Sequence, residues 1–166
     1  MIIRKLRFQN INSLKGLHEI DFTAEPLASS GIFAITGVTG SGKSTLLDVI
    51  SLALYNRIPR ISGSISRGLI EKTGLILTRN TPEAMAEVSY ACHQGQFVSH
   101  WSISSTRNNT LRDYEMEIFD QSGRKLDVKK SEVPDQNARL IGLSFDQFVK
   151  AILLAQGDFA AFLKAR

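Results

Sequence analysis

The amino-acid sequence predicts an α/β fold organised on a strand–loop–helix unit near residue 40, and three adjoining stretches carry that prediction. Gly31-Ile-Phe-Ala-Ile-Thr36 is an apolar run of the kind that makes a strand buried on both faces of a parallel sheet. Gly37-Val-Thr-Gly-Ser-Gly-Lys-Ser44 follows it, with a glycine, four free positions and then Gly-Lys-Ser. Residues 45–55 hold no glycine or proline and repeat Leu46, Leu47, Ile50 and Leu54 at helical spacing.

The loop between strand and helix has the chemistry of a phosphate cradle. Gly37, Gly40 and Gly42 lack a Cβ, so successive backbone N–H groups can approach phosphate oxygens. The helix behind them points unpaired N–H groups and its positive dipole end at the same anion. Lys43 suits the β and γ phosphates as a point charge and supports phosphoryl transfer, while the Ser44 hydroxyl suits Mg²⁺. Thr39, Ser41 and Thr45 complete the candidate contacts of the loop. The rival reading is a glycine-rich turn that only joins strand to helix; the matching context on both sides favours nucleoside triphosphate binding.

The remaining elements follow in chain order. Residues 2–9 read as a strand with one wetter face, residues 10–16 as a turn and residues 17–22 as a returning strand, so a hairpin precedes the phosphate loop. Small GTPases and nucleotide kinases usually place that loop directly after their first strand, and the hairpin argues against them. Residues 25–30 are a connecting loop, and residues 56–68, rich in Ser, Gly and Arg, an irregular one. From Ala86 the period changes to two, with Val88, Tyr90 and Cys92 on one face; Phe97, Trp101 and Ile103 repeat it, then Tyr114, Met116 and Ile118. These stretches predict a meander of antiparallel strands with one solvated face. Residues 130–140 form a helix that tolerates Pro134 only in its first turn and stops at Gly142. Ser144-Phe-Asp-Gln147 is a capping box for a further helix with Phe145, Phe148, Val149 and Ile152 as its stripe, ending near Gln156, and another helix starts at Phe159.

Composition bounds the function classes. A length of 166 residues suits one domain, and 43% hydrophobic with 22% charged residues is ordinary for a globular protein. No apolar run reaches the length of a membrane span, the N-terminus lacks the apolar core of a signal peptide, and a cytoplasmic, membrane-free location is the expectation. The single cysteine, Cys92, reads as a small packed side chain. A net charge of +4 is compatible with nucleic acid without demanding it.

Two stretches imitate further motifs. Asp120-Gln-Ser-Gly123 matches the Asp-x-x-Gly of GTPases, but Glu115 and Glu117 charge every second position before it, where a central parallel strand would be apolar throughout; a hairpin turn is the better reading. Ile61-Ser-Gly-Ser64 resembles an ATP-binding-cassette signature but lacks its second glycine and reads as loop. No Walker B carboxylate, signature or general base is evident, so the chain has the parts of half an ATPase.

Asn10-Ile-Asn-Ser-Leu-Lys-Gly16, the stretch from Gly31 to Asp48, Leu77-Thr-Arg-Asn-Thr81 and Leu153-Leu-Ala-Gln-Gly-Asp-Phe-Ala-Ala-Phe-Leu163 together resemble the SbcC family of SMC-like ATPases. The resemblance implies a P-loop NTPase fold of the ABC/SMC type: an N-terminal half-head with a mixed sheet around the phosphate-loop helix and an antiparallel β arm. Its parts would be residues 1–56 (hairpin, phosphate-loop strand and helix), 57–128 (loop and arm) and 129–166 (helices, Q-loop and the start of a coiled coil). It also implies ATP and Mg²⁺ as cofactors and Gln156 as the Q-loop glutamine beside Mg²⁺, against the alternative of a polar helix-end cap. Asn12 aligns with a position near the nucleotide that is often basic in relatives. The implied partners are a C-terminal lobe that supplies the missing motifs, a second head, an SbcD-type nuclease and double-stranded DNA. Arg57, Arg60, Arg67, Arg107, Arg112, Lys129 and Lys130 are candidate DNA contacts. The alternative assignment is the ATPase subunit of a membrane transporter.

Overall fold

The computed structural model describes residues 1–30 and 34–151. Its frame is a five-stranded sheet in the order β2-β1-β3-β4-β5, formed by β1 (Ile2–Ile11), β2 (Leu14–Asp21), β3 (Glu83–Cys92), β4 (Gly95–Ser104) and β5 (Glu115–Asp120). Every pairing is antiparallel. The leading hairpin and the later meander are therefore one sheet, joined where β1 pairs with β3.

Alternation in the sequence decides which face is covered. The register sets Leu6 beside Val88, Phe8 beside Ala86, Ala86 beside Trp101 and Trp101 beside Met116, and all six side chains are buried. The intervening positions carry Lys5, Arg7, Glu87, His100 and Glu117 on the opposite face, which is laced by Lys5–Glu19 at 2.8 Å, His100–Glu87 at 3.0 Å and Lys125–Glu117 at 2.6 Å.

Five helices accompany the sheet among the described residues: α1 (Leu27–Ser30), α2 (Lys43–Tyr55), α3 (Arg67–Thr73), α4 (Val133–Ile141) and α5 (Phe145–Ala151). The phosphate-loop helix α2 packs on β3, β4 and β1, with α4 beside it. A buried polar network fixes its carboxyl end. Ser99 Oγ donates to the Ala53 carbonyl (2.7 Å), Asn137 Nδ2 to the Leu54 carbonyl (2.8 Å), Tyr90 Oη to Asn137 Oδ1 (2.7 Å) and Trp101 Nε1 to Asn56 Oδ1 (2.9 Å). Burial makes each of these bonds costly to break.

Local signals hold where they are strongest. Pro134 lies in the first turn of α4 and Gly142 caps it at φ 79°. The Ser144 capping box is reciprocal, Ser144 N donating to Gln147 Oε1 (2.9 Å) and Gln147 N to Ser144 Oγ (3.4 Å). Asp120-Gln-Ser-Gly123 is a hairpin turn in which Asp120 Oδ1 accepts from the N–H groups of Ser122 and Arg124.

Several expectations need correction. The connecting loop at residues 25–30 contains the short helix α1, and the turn at residues 10–16 narrows to residues 12–13, because β1 runs to Ile11 and β2 starts at Leu14. The sheet is antiparallel, not mixed, among the described residues. Ala34, Ile35 and Thr36, the described part of the expected parallel strand, are exposed and outside the sheet, Ile35 being 50% exposed. A strand of that kind needs parallel neighbours and cover on both faces, and the described residues supply neither. The irregular loop after α2 ends at Ser66, whose side chain caps α3 by accepting from Leu69 N. Ile152, Gln156 and the helix expected from Phe159 lie outside the described residues.

Candidate nucleotide-binding site

The amino end of α2 opens into a cavity of about 690 Å³, within the usual range for a small-molecule site. Thr39, Gly40, Gly42, Lys43, Ser44 and Thr45 form one wall. Gly42 is the N-cap at φ 89°, and a Cβ there would lie 2.8 Å from Leu14 Cδ2, so the turn into the helix requires glycine both for its backbone and for its packing against the hairpin. The Thr45 N–H donates to the Gly42 carbonyl (2.9 Å), which leaves the Lys43 and Ser44 N–H groups as the first-turn donors without an intrahelical acceptor.

Lys43 folds over the loop. Its Nζ donates to the carbonyls of Gly37 (2.7 Å) and Val38 (2.8 Å) and approaches Ser41 Oγ at 3.4 Å. Gly37 and Ser41 thus contribute by holding the ammonium, whereas Ser44 leaves its hydroxyl at the cavity wall.

The opposite walls come from the turn between β1 and β2 and from residues 74–79. Asn12 stands at their junction in the left-handed region at φ 53°. Its backbone N–H donates to the Ile76 carbonyl (2.7 Å), its carbonyl accepts from Thr78 Oγ1 (2.9 Å), and its Oδ1 accepts from Ile76 N (3.2 Å). Its Nδ2 reaches Asp48 Oδ2 (3.0 Å) and Thr45 Oγ1 (3.4 Å) on α2. Asn12 therefore lines the cavity chiefly as a joint between its walls.

Arg60, a candidate DNA contact by sequence, stands in this cavity instead, ion-paired to the buried Asp48. Burial pushes the Asp48 carboxyl above its ordinary value, and Arg60 and Asn12 pull it back. Ser13, Leu75, Leu77, Thr78 and Arg79 also line the cavity, and sequence reasoning missed them as site residues. Leu77, Thr78 and Arg79 belong to a stretch whose resemblance is visible but whose role is not, because only tertiary folding brings it beside the phosphate loop.

The other basic candidates do not converge. Arg57 lies over the Phe145 ring at 4.0 Å and pairs with Asp146 at 3.6 Å, Arg67 pairs with Glu71, and Lys130 pairs with Asp113 and Glu115. Arg107, Arg112 and Lys129 are exposed and make no ion pair among the described residues. Gln156 lies outside those residues.

A family profile described as an AAA domain matches residues 5–166. The chain belongs to the AAA domain family. It is 39% identical over 99% of its length to the SbcC subunit of nuclease SbcCD from Pseudomonas aeruginosa and 38% identical over 99% to that from Rhodobacter capsulatus. It is 32% identical over 96% of its length to a probable DNA double-strand break repair Rad50 ATPase of Aquifex aeolicus. It spans 15%, 14% and 15% of the length of these three relatives.

The residues present suit a nucleoside triphosphate with its metal. The cradle turns on a glycine that a side chain would crowd against Leu14, and the walls offer Lys43, Arg60 and Arg79 without one carboxylate among the described lining residues. Ser44 lines the cavity, and its hydroxyl is the group that would hold Mg²⁺ together with the phosphates themselves.

Proposed function

We propose that this chain is the ATP-binding lobe of an SMC-like DNA-repair ATPase of the SbcC and Rad50 type. The observation that carries the proposal is a cavity with three cations, a helix amino terminus and several hydroxyls, but no acidic side chain among the described lining residues. Such a wall binds a polyanion and lacks a base to activate water.

Bound ATP would supply the phosphoanhydride bond whose cleavage drives the cycle. Lys43 leaves its carbonyl partners to neutralise the terminal phosphates, the first turn of α2 binds through its N–H groups, and Ser44 turns its hydroxyl to the metal. Arg60 and Arg79 extend the positive wall, and Gln156 is assigned to the metal side. Walker B, signature and catalytic glutamate are assigned to a C-terminal lobe, so this lobe is inactive alone. Two heads closing about nucleotide would regulate binding of double-stranded DNA and an SbcD-type nuclease in the cytoplasm. The names of the relatives favour this reading over a membrane-transporter ATPase, and no helix among the described residues is long and apolar enough to cross a membrane.

The test is to combine the chain with the matching C-terminal lobe and measure ATP hydrolysis with and without double-stranded DNA. Stimulated turnover that vanishes in Lys43→Ala is expected; equal turnover in that variant overturns the proposal.

A further inference from the structure

Asp48 has no evident reason to be charged. It sits on α2 one turn beyond Ser44, is 3% exposed, and stays outside the cavity lining. A carboxylate hidden in this way normally gives way to an apolar residue unless its partners require it.

Its partners are two walls of the cavity. One oxygen, Oδ2, accepts both from Asn12 Nδ2 and from Arg60. Asn12 in turn holds residues 76–78 through three further hydrogen bonds, and Arg60 belongs to the loop that leaves α2. Hairpin turn and Arg60 loop therefore meet at a single atom on the phosphate-binding helix, and the 76–78 segment is tied to it through Asn12. Arg60 keeps about half of its side chain exposed (47%), and a guanidinium has five N–H donors, so the pair leaves donors for a ligand.

We propose that Asp48 is a positioning residue that sets Arg60 and the Asn12 wall around the phosphates without touching the nucleotide itself. This rests on the ATP-binding reading of the cavity. The carboxylate holds the guanidinium against the wall before ligand arrives, so the ordering is already present when the anion binds. Removing the charge would free Arg60 and loosen the junction at Asn12, lowering affinity although no ligand contact is deleted.

The experiment is a double-mutant cycle read by titration with a fluorescent ATP analogue, using Asp48→Asn, Arg60→Ala and the pair, each checked for folding by circular dichroism. Either single substitution is expected to weaken binding about tenfold, the scale of one charge-assisted hydrogen bond. The pair should bind more weakly than Arg60→Ala alone, by the Asn12 share, but should fall at least about threefold short of the product of the two single losses. Losses that multiply in the pair, or an Asp48→Asn variant that binds as wild type, overturn the proposal. Should Asp48→Asn fail to fold, Asn12→Ala and Arg60→Ala replace it, and wild-type affinity in both is equally fatal. Absence of binding by the wild-type protein would instead refute the nucleotide reading, so the two failures are told apart.

Discussion

At the scale of single residues, the structure rests on a few positions where chemistry leaves no substitute. Gly42 combines a left-handed backbone with Leu14 carbons 2.8 Å and 2.9 Å from where a Cβ would stand. Gly42→Ala should cost about 1–2 kcal/mol from the backbone alone and weaken ATP-analogue binding, since the cradle cannot keep its turn. A variant with unchanged melting temperature and affinity would contradict this. Tyr90 illustrates a different dependence: its hydroxyl donates to Asn137 Oδ1 at 2.7 Å, and Asn137 is fully buried. Tyr90→Phe leaves that oxygen without a donor where water cannot replace it, an expected loss of about 1–3 kcal/mol. The measurement is the urea midpoint at unchanged slope, and a shift equivalent to under about 0.5 kcal/mol would show that the network tolerates the gap.

At the scale of elements, α5 is joined to the end of α2 by aromatic and charged contacts. Tyr55 donates to the Leu143 carbonyl (3.0 Å) and its ring meets Phe145 and Phe148, while Arg57 lies over Phe145. Arg57 Nε is buried without a hydrogen-bond partner among the described residues, so this arginine is held for its ring contact and its pairing with Asp146. Arg57→Ala should lower the local opening free energy of α5 by about 1–2 kcal/mol, roughly a 5–30-fold faster amide exchange, with α4 unchanged. Equal protection in α5 would remove Arg57 from this role. On the outer face of the sheet, a hydrogen bond from His100 is the main reason that the Glu87 carboxyl lies below its ordinary value of 4.5. A depressed carboxyl contributes stability above its unfolded value and loses it as pH falls through its folded value. His100→Gln should therefore lower stability at neutral pH, where the Glu87 carboxylate is ionised, and leave it little changed once acid has protonated that group; an unchanged stability at neutral pH would mean that Arg7 and Lys5 hold Glu87 unaided.

At the scale of the whole molecule, legibility in the sequence follows the range of the interaction. The capping box at Ser144, the Gly142 stop, the Asp120 turn and the meander are set by neighbours within a few residues, and each is readable. The pairing of β1 with β3 joins residues about eighty apart, and no local pattern announces it. The same distance hides the cavity: Asp48, Arg60 and residues 74–79 look like helix, loop and linker until folding gathers them, although α3 leaves a local signal in Ser66 and Gly74. Ile35, just before the phosphate loop, and Val38, within it, are 50% and 79% exposed, although the apolar run around Ile35 reads in the sequence as a buried strand.

The lone lobe should consequently bind without turning over. In the proposed reading Lys43, Arg60 and Arg79 hold phosphate whatever else is present, whereas hydrolysis needs a carboxylate, and no described lining residue has one. At ATP concentrations near a hundred times Kd, binding adds about 2.7 kcal/mol, which for a domain of this size raises Tm by roughly 5–10 °C. The same samples should release inorganic phosphate no faster than Lys43→Ala does. Thermal stabilisation together with Lys43-dependent turnover by the chain alone would place a water-activating group within it and end the half-site reading; no stabilisation at all would refute nucleotide binding by this cavity.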